Sequence, residues 1–281
     1  MSYKDLLVVL NSDPPARGCI DMAAALAERF EAHLIGLYLV PFPEALRPLG
    51  YYDPALLHPL YRELREQARD VADLQRGVFE HVASLHGLSA EWRAIAEGPD
   101  ADPALHARYA DLTILGQLDP DRGPAETIRP RPEQVALASG RPVIVVPYAG
   151  KFETVGRRVL VAWNASREAT RAVNDAMPLL AGAEAVTVLA IDPREGPSGH
   201  GEVPGADISL HLARHGVKAT IERTVSADIP AGEVLLSRAA DLAADLLVMG
   251  AYGHYRVREL LLGGATRSIL RSMTLPVLMS H

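Results

Sequence analysis

Short runs of consecutive Val, Leu and Ile alternate along the chain with longer stretches whose apolar residues recur every three or four positions. In the first half the runs fall at residues 6–10, 34–40, 91–96, 112–115 and 143–146, and in the second at 159–162, 186–191, 220–225, 246–249 and 277–279. A run that is apolar at successive positions offers both faces for burial, the pattern of parallel strands covered by helices. The intervening stretches read as those helices. Residues 59–86 carry Leu60, Leu64, Val71, Leu74, Val78 and Val82 on one helical face. Asp228 is expected to cap another helix, with Pro230 in its first turn and Val234, Leu235, Ala239 and Leu242 on its apolar side. The predicted fold class is α/β: two tandem open parallel five-stranded sheets, each flanked by helices and built with right-handed crossovers.

The two halves follow one plan. Asp5-Leu6-Leu7-Val8-Val9-Leu10-Asn11 is echoed by Arg158-Val159-Leu160-Val161-Ala162-Trp163-Asn164, Asp111-Leu112-Thr113-Ile114-Leu115-Gly116 by Asp245-Leu246-Leu247-Val248-Met249-Gly250, and Pro142-Val143 by Pro276-Val277. Gly116 precedes Pro142 by 26 positions, and Gly250 precedes Pro276 by the same 26. From Asn11 to Gly116 is 105 positions and from Asn164 to Gly250 is 86, so the first half carries 19 extra residues. The Pro- and Tyr-rich stretch 41–60 is their expected site, either as a lid over a pocket or as a packed surface loop. The apolar strand pattern gives way to small and polar residues at 148–151, which sets the expected domains at 1–149 and 155–281.

Composition narrows the functional classes. No apolar run approaches the ~20 residues of a bilayer crossing. The first stretch has Asp5 inside its apolar run and no small-residue cleavage site, so it reads as a strand and not a signal peptide. The single cysteine, Cys19, cannot form an intramolecular disulfide and lies in an apolar helical pattern, which fits a reducing cytoplasm. A net charge of −7 disfavours nucleic acid as a partner and leaves a single bound nucleotide compatible with the chain.

In an open α/β sheet, ligands bind beyond the carboxyl ends of the strands. After the fourth strand of the second half comes Gly250-Ala251-Tyr252-Gly253-His254-Tyr255-Arg256-Val257-Arg258, and Gly263-Gly264-Ala265-Thr266 then opens a helix. Glycines at 250 and 253 let the backbone approach a ligand that any Cβ would displace. Gly263 and Gly264 at a helix start would turn unpaired N–H groups toward an anion, with Thr266 adding a hydroxyl and Arg256 a cation. The pattern describes a phosphate cradle, though neither a Walker A loop nor a G-x-G-x-x-G fingerprint occurs.

The G-x-x-G-x9-G spacing after this strand, closed by Met273-Thr274-Leu275-Pro276-Val277-Leu278, resembles the universal stress protein family, and the whole chain resembles its tandem form. That resemblance implies an adenine-nucleotide alpha-hydrolase-like, Rossmann-like fold whose second domain binds ATP or a related adenine nucleotide, with Mg²⁺. Gly250, Gly253, Gly263, Gly264 and Thr266 take the phosphate positions, with Ala265 between them. Met249 offers its backbone beside the base. Ala162, Trp163 and Asn164 fall at the first-strand adenosine position, and Ala190 and Ile191 at the second. The resemblance also implies that the domains pair through their last strands, 143–146 with 277–279, and that two chains form a homodimer. Asn164 stands where the family usually has Asp, and Gly264 where it commonly has Ser or Thr.

The first half has lost the motif. Asp119 occupies the place of the second glycine, and Arg129, beside Pro130 and Pro132, the place of Gly263. An acid repels phosphate and prolines remove N–H donors. His211 and His215, spaced i, i+4, are weak candidates for a zinc pair or simply solvated residues. Asp100/Asp102 and Asp119/Asp121 read as turn and cap residues. No catalytic residue stands out, so the expected function is a cytoplasmic, regulatory stress-response protein with at most slow ATP hydrolysis. The alternative is a non-nucleotide module that binds a partner protein or a small apolar ligand.

Overall fold

The structure, a computed structural model, describes residues 2–10, 16–40, 54–95, 102–118, 131–193, 205–251 and 264–281. Its strands are β1 (Asp5–Leu10), β2 (His33–Leu39), β3 (Ala90–Ile95), β4 (Leu112–Gly116) and β5 (Val143–Val146), then β6 (Arg158–Ala162), β7 (Ala185–Ile191), β8 (Ala219–Thr224), β9 (Leu246–Gly250) and β10 (Val277–Ser280). They form one ten-stranded sheet in the order β3-β2-β1-β4-β5-β10-β9-β6-β7-β8. Each half therefore repeats the same strand order, mirrored along the sheet.

The two five-stranded sheets join into one through their last strands, 143–146 with 277–279, the pairing that the resemblance implied. All neighbours run parallel except β5 and β10, which pair antiparallel with Val277 opposite Val145, Leu278 opposite Ile144 and Met279 opposite Val143. The cause lies in the strands themselves. Val143, Ile144, Val145 and Val146 are apolar on both faces and almost wholly buried, and a two-faced apolar edge left open would recruit another chain. The opposite situation holds at the outer edges, where β3 and β8 carry Glu91, Arg93, Glu222 and Arg223 and are only partly buried. These two strands depart from the expectation of burial on both faces because each has a neighbour on one side alone.

Helices cover both faces. On one side lie α1 (Ala16–Phe30), α2 (Pro54–Leu85), α5 (Arg167–Asp175), α6 (Met177–Ala181) and α7 (Ala206–Arg214), packed over Leu6, Val8, Leu10, Val159, Val161 and Val248. On the other lie α3 (Pro103–Ala107), α4 (Pro132–Ser139), α8 (Ala231–Asp241) and α9 (Gly264–Ser272), over Leu7, Val9, Val143, Leu160, Leu247 and Met279. Successive strand residues alternate between these two cores, as the pleat requires.

Two helix starts differ from expectation. Pro54 opens α2, so residues 54–60 of the expected insertion belong to the helix, and 41–53 lie outside the described residues. Asp228 does not cap α8. Ala227 and Asp228 both adopt left-handed backbone (φ 45° and 70°), and the helix starts after Pro230, which stands at its N-cap.

Among the described residues, polar contacts also tie the halves together beyond the strand junction. Tyr3 Oη donates to the Asp175 carbonyl (2.6 Å), Arg29 to Val155 (3.2 Å), Arg171 to Gly140 (2.9 Å), and Gln117 Nε2 to Leu270 (2.8 Å). Burial pushes the Tyr3 phenol well above its usual range, so it remains a donor across the physiological pH range. Among the described residues no helix is long and apolar enough to cross a membrane.

Candidate functional site

The second half reverses its strand order at β6, with β7 on one side and β9 on the other. Such a reversal opens a crevice beyond the strand ends. A cavity of about 350 Å³ lies there, within the size range of small-ligand sites.

Nine of the residues singled out from sequence meet in this one cavity. Ala162, Trp163 and Asn164 end β6, Ile191 ends β7, Met249 and Gly250 end β9, and Gly264, Ala265 and Thr266 start α9. Ala190 does not line it. The strand alternation turns Ala190 to the side of Val186 and Val188, while its neighbours Leu189 and Ile191 face the cavity. Gly253, Arg256 and Gly263 lie outside the described residues, as do Asp119, Asp121 and Arg129.

The β6–α5 turn is held by its own short side chains. Asn164 Oδ1 accepts the Ser166 backbone N–H (3.1 Å), and Ser166 Oγ accepts that of Ala169 (3.1 Å), which caps α5. Between them Ala165 sits in left-handed backbone at φ 56°. The side-chain oxygen of Asn164 is thus satisfied locally, and its Nδ2 remains as a donor. An aspartate here would offer a ligand an acceptor instead.

Gly250 is needed for a reason the sequence did not suggest. A Cβ there would stand 2.6 Å from the Ala169 nitrogen and 2.7 Å from Glu168 Cβ, so the first turn of α5, and not a ligand, occupies that space. Gly264 is the opposite case, since no described residue outside its own helix and chain neighbours lies within 4 Å of a Cβ built on it. α9 has no acid in its first turn and carries Thr266, 3% exposed, as its third residue. Its first N–H groups therefore meet the cavity with a partial positive charge.

Sequence reasoning missed Ser166, Glu168, Leu189, Asp192, Ala231 and Leu235, all in the lining. For Glu168 a signal existed. It falls on the same helical phase as Ala169, Ala172 and Val173, the buried side of α5, where a glutamate is out of place. Asp192 sits just past β7 at φ 46° and accepts the Ser226 N–H on Oδ1 (3.0 Å). Hydrogen bonds from Ser226 hold its carboxyl below the usual carboxylate range.

At the corresponding place in the first half a buried glutamine follows the fourth strand. Gln117, which follows Gly116 as Ala251 follows Gly250, is 3% exposed and uses both ends of its amide: Nε2 donates to Leu270, and Oε1 accepts the Tyr148 N–H (3.2 Å). His211 and His215 do come together, with ring centroids 4.7 Å apart. No group of three metal-ligating side chains forms among the described residues. Asp102 caps α3 through the Ala104 N–H.

Comparison with known proteins agrees with this architecture. Residues 156–281 match the model of the universal stress protein family. The universal stress protein Slr1230 of Synechocystis sp. is 30% identical over 152 residues, covering 52% of this chain and 49% of its own, so the chain spans about half the length of that curated relative. A universal stress protein structure from Archaeoglobus fulgidus DSM 4304 has a TM-score of 0.66 at 17% identity, covering 98% of this chain and 97% of its own. A functionally unknown protein from Pseudomonas aeruginosa PAO1 gives 0.58 at 17%, over 99% and 92%. At that identity the two structures speak for the fold alone. The cavity-bearing half thus matches the universal stress protein family, and the chain as a whole shares the fold of such a protein.

Proposed function

We propose that the second half binds ATP or a related adenine nucleotide in this cavity, and that the protein is a cytoplasmic, regulatory member of its family with the first half as a degenerate, non-binding partner. The observation that carries the reading is the convergence of Asn164, Ile191, Met249 and the first turn of α9 on one cavity at the sheet's switch point. In this reading the phosphates meet the N–H groups of α9 and the Thr266 hydroxyl. The base lies against Ile191 and Met249, and Asn164 Nδ2 donates to a ribose oxygen.

Calorimetric titration with ATP and Mg²⁺ tests the reading, after denaturation and mass analysis for any nucleotide carried through purification. One site per chain, lost in Gly253→Leu with the fold intact, is the expected result. Absence of both bound and added nucleotide at millimolar ATP would overturn it.

One observation favours the interaction-module reading. Val225 and Ile229, 77% and 51% exposed, border a second groove between β8 and α8. If nucleotide fails to bind, that lip is where a protein partner should be sought.

A further inference from the structure

We propose that Glu168 is the protein ligand of a divalent cation that enters the cavity with the phosphates of the nucleotide, an inference that rests on the nucleotide reading and extends it. Glu168 is the second residue of α5, is 2% exposed and lines the cavity. Its Oε2 is buried and has no hydrogen-bond partner among the described residues. A carboxylate oxygen withdrawn from water is costly unless a donor or a cation meets it.

The surroundings do not supply that partner. Among the described lining residues there is no Lys, Arg or His, and the other acid, Asp192, is exposed and already accepts from Ser226. The N-terminal turn of α5 offsets part of the charge on Glu168 but leaves Oε2 unpaired. A phosphate chain entering the same cavity would meet this carboxylate as a like charge.

A divalent cation removes both misfits at once. Mg²⁺ is commonly held by one or two carboxylates, with phosphate oxygens and waters completing its octahedron. Ser280 is a neighbouring polar residue that does not itself line the cavity. It pairs in register with Gly250, against which Glu168 packs, and its Oγ is likewise buried without a partner. In the first half the position paired with Gly116 is Val146, so this polar pair belongs to the second half alone.

The test is ATP affinity by calorimetry in EDTA and in excess Mg²⁺, for wild type, Glu168→Gln and Glu168→Asp, with circular dichroism to verify folding. Electron paramagnetic resonance of Mn²⁺ is read on the same nucleotide complexes. Wild type should bind more tightly with Mg²⁺, and E168Q should lose about 10- to 100-fold of that enhancement together with the immobilised Mn²⁺ signal. E168D should recover part of both. Equal wild-type affinity with and without metal, or full enhancement in E168Q, would overturn the cation site while leaving the nucleotide site standing. A wild type that binds no nucleotide in either buffer would overturn the underlying reading as well. The wild-type arms need no variant to fold.

Discussion

Replacing Gly250 by alanine places one methyl group where the first turn of α5 already stands. The added Cβ would lie 2.6 Å from the Ala169 nitrogen and from the Glu168 carbonyl carbon, and both are backbone atoms that no side-chain rotation can clear. Relaxed carbon contacts begin near 3.5 Å, so the helix start must retreat by roughly 1 Å. Overpacking of this kind costs about 1–3 kcal/mol. At about 2–4 °C per kcal/mol for a protein of this size, the melting temperature should fall by several degrees. Gly250 is not among the glycines with positive φ, so backbone conformation contributes nothing to the loss. Gly264→Ala is the matched control. It adds the same methyl in open space at a helix start, where alanine is favoured, and should leave stability unchanged or slightly higher. The assay is thermal denaturation by differential scanning calorimetry, with nucleotide titration on both variants. G250A should also bind more weakly, because Glu168 moves with the turn. If G250A melts with the wild type, the packing argument fails.

Ala165 holds left-handed backbone at φ 56°, so Ala165→Gly should stabilise by about 0.5–1 kcal/mol, read as a raised melting temperature. Gln117→Leu removes a buried amide from its two partners, leaving the Leu270 carbonyl and the Tyr148 N–H unmet, at a cost of about 1–3 kcal/mol in urea unfolding. Cys19 is 1% exposed and burial pushes its thiol up to about 12, so it should react with a disulfide reagent at pH 8 only as the protein unfolds. Two hydrogen bonds from Arg238 (2.7 and 2.8 Å) hold the Glu222 carboxyl below its usual range. The pair thus contributes at most about 1 kcal/mol, fully present above the unfolded value near pH 4.3 and lost as pH falls through the lower folded value. Stability of Glu222→Gln against wild type should therefore differ near neutrality and converge in acid.

The central strands were legible because a two-sided core leaves a plain trace, consecutive aliphatic residues, while the edge strands β3 and β8, with Glu91, Arg93, Glu222 and Arg223, lack that trace. Helix starts were less legible. Asp228 and Pro230 have the chemistry of a cap, but the left-handed pair Ala227 and Asp228 moves the start onward, and that choice is made by packing. Cavity residues at the ends of β6, β9 and α9 could be read from the glycine spacing. Ala190 could not be separated from Ile191, since the spacing locates the strand end but not the phase of its pleat. Glu168 was visible as an acid on an apolar helical phase, yet its unpaired oxygen emerges only once Gly250 and α5 are in contact.

The antiparallel meeting of β5 and β10 has a consequence for what the chain can become. Two identical subunits joined across such a seam would receive every substitution twice, once on each side of the axis. Joined in one polypeptide, the seam can keep its geometry while the flanks diverge. Gln117 stands on one side where Ala251 stands on the other, and its amide grips α9 at Leu270, the same helix whose first turn borders the cavity. The first half thereby serves as an abutment for a helix that borders the cavity of the second, a division of labour that a symmetric pair could not sustain.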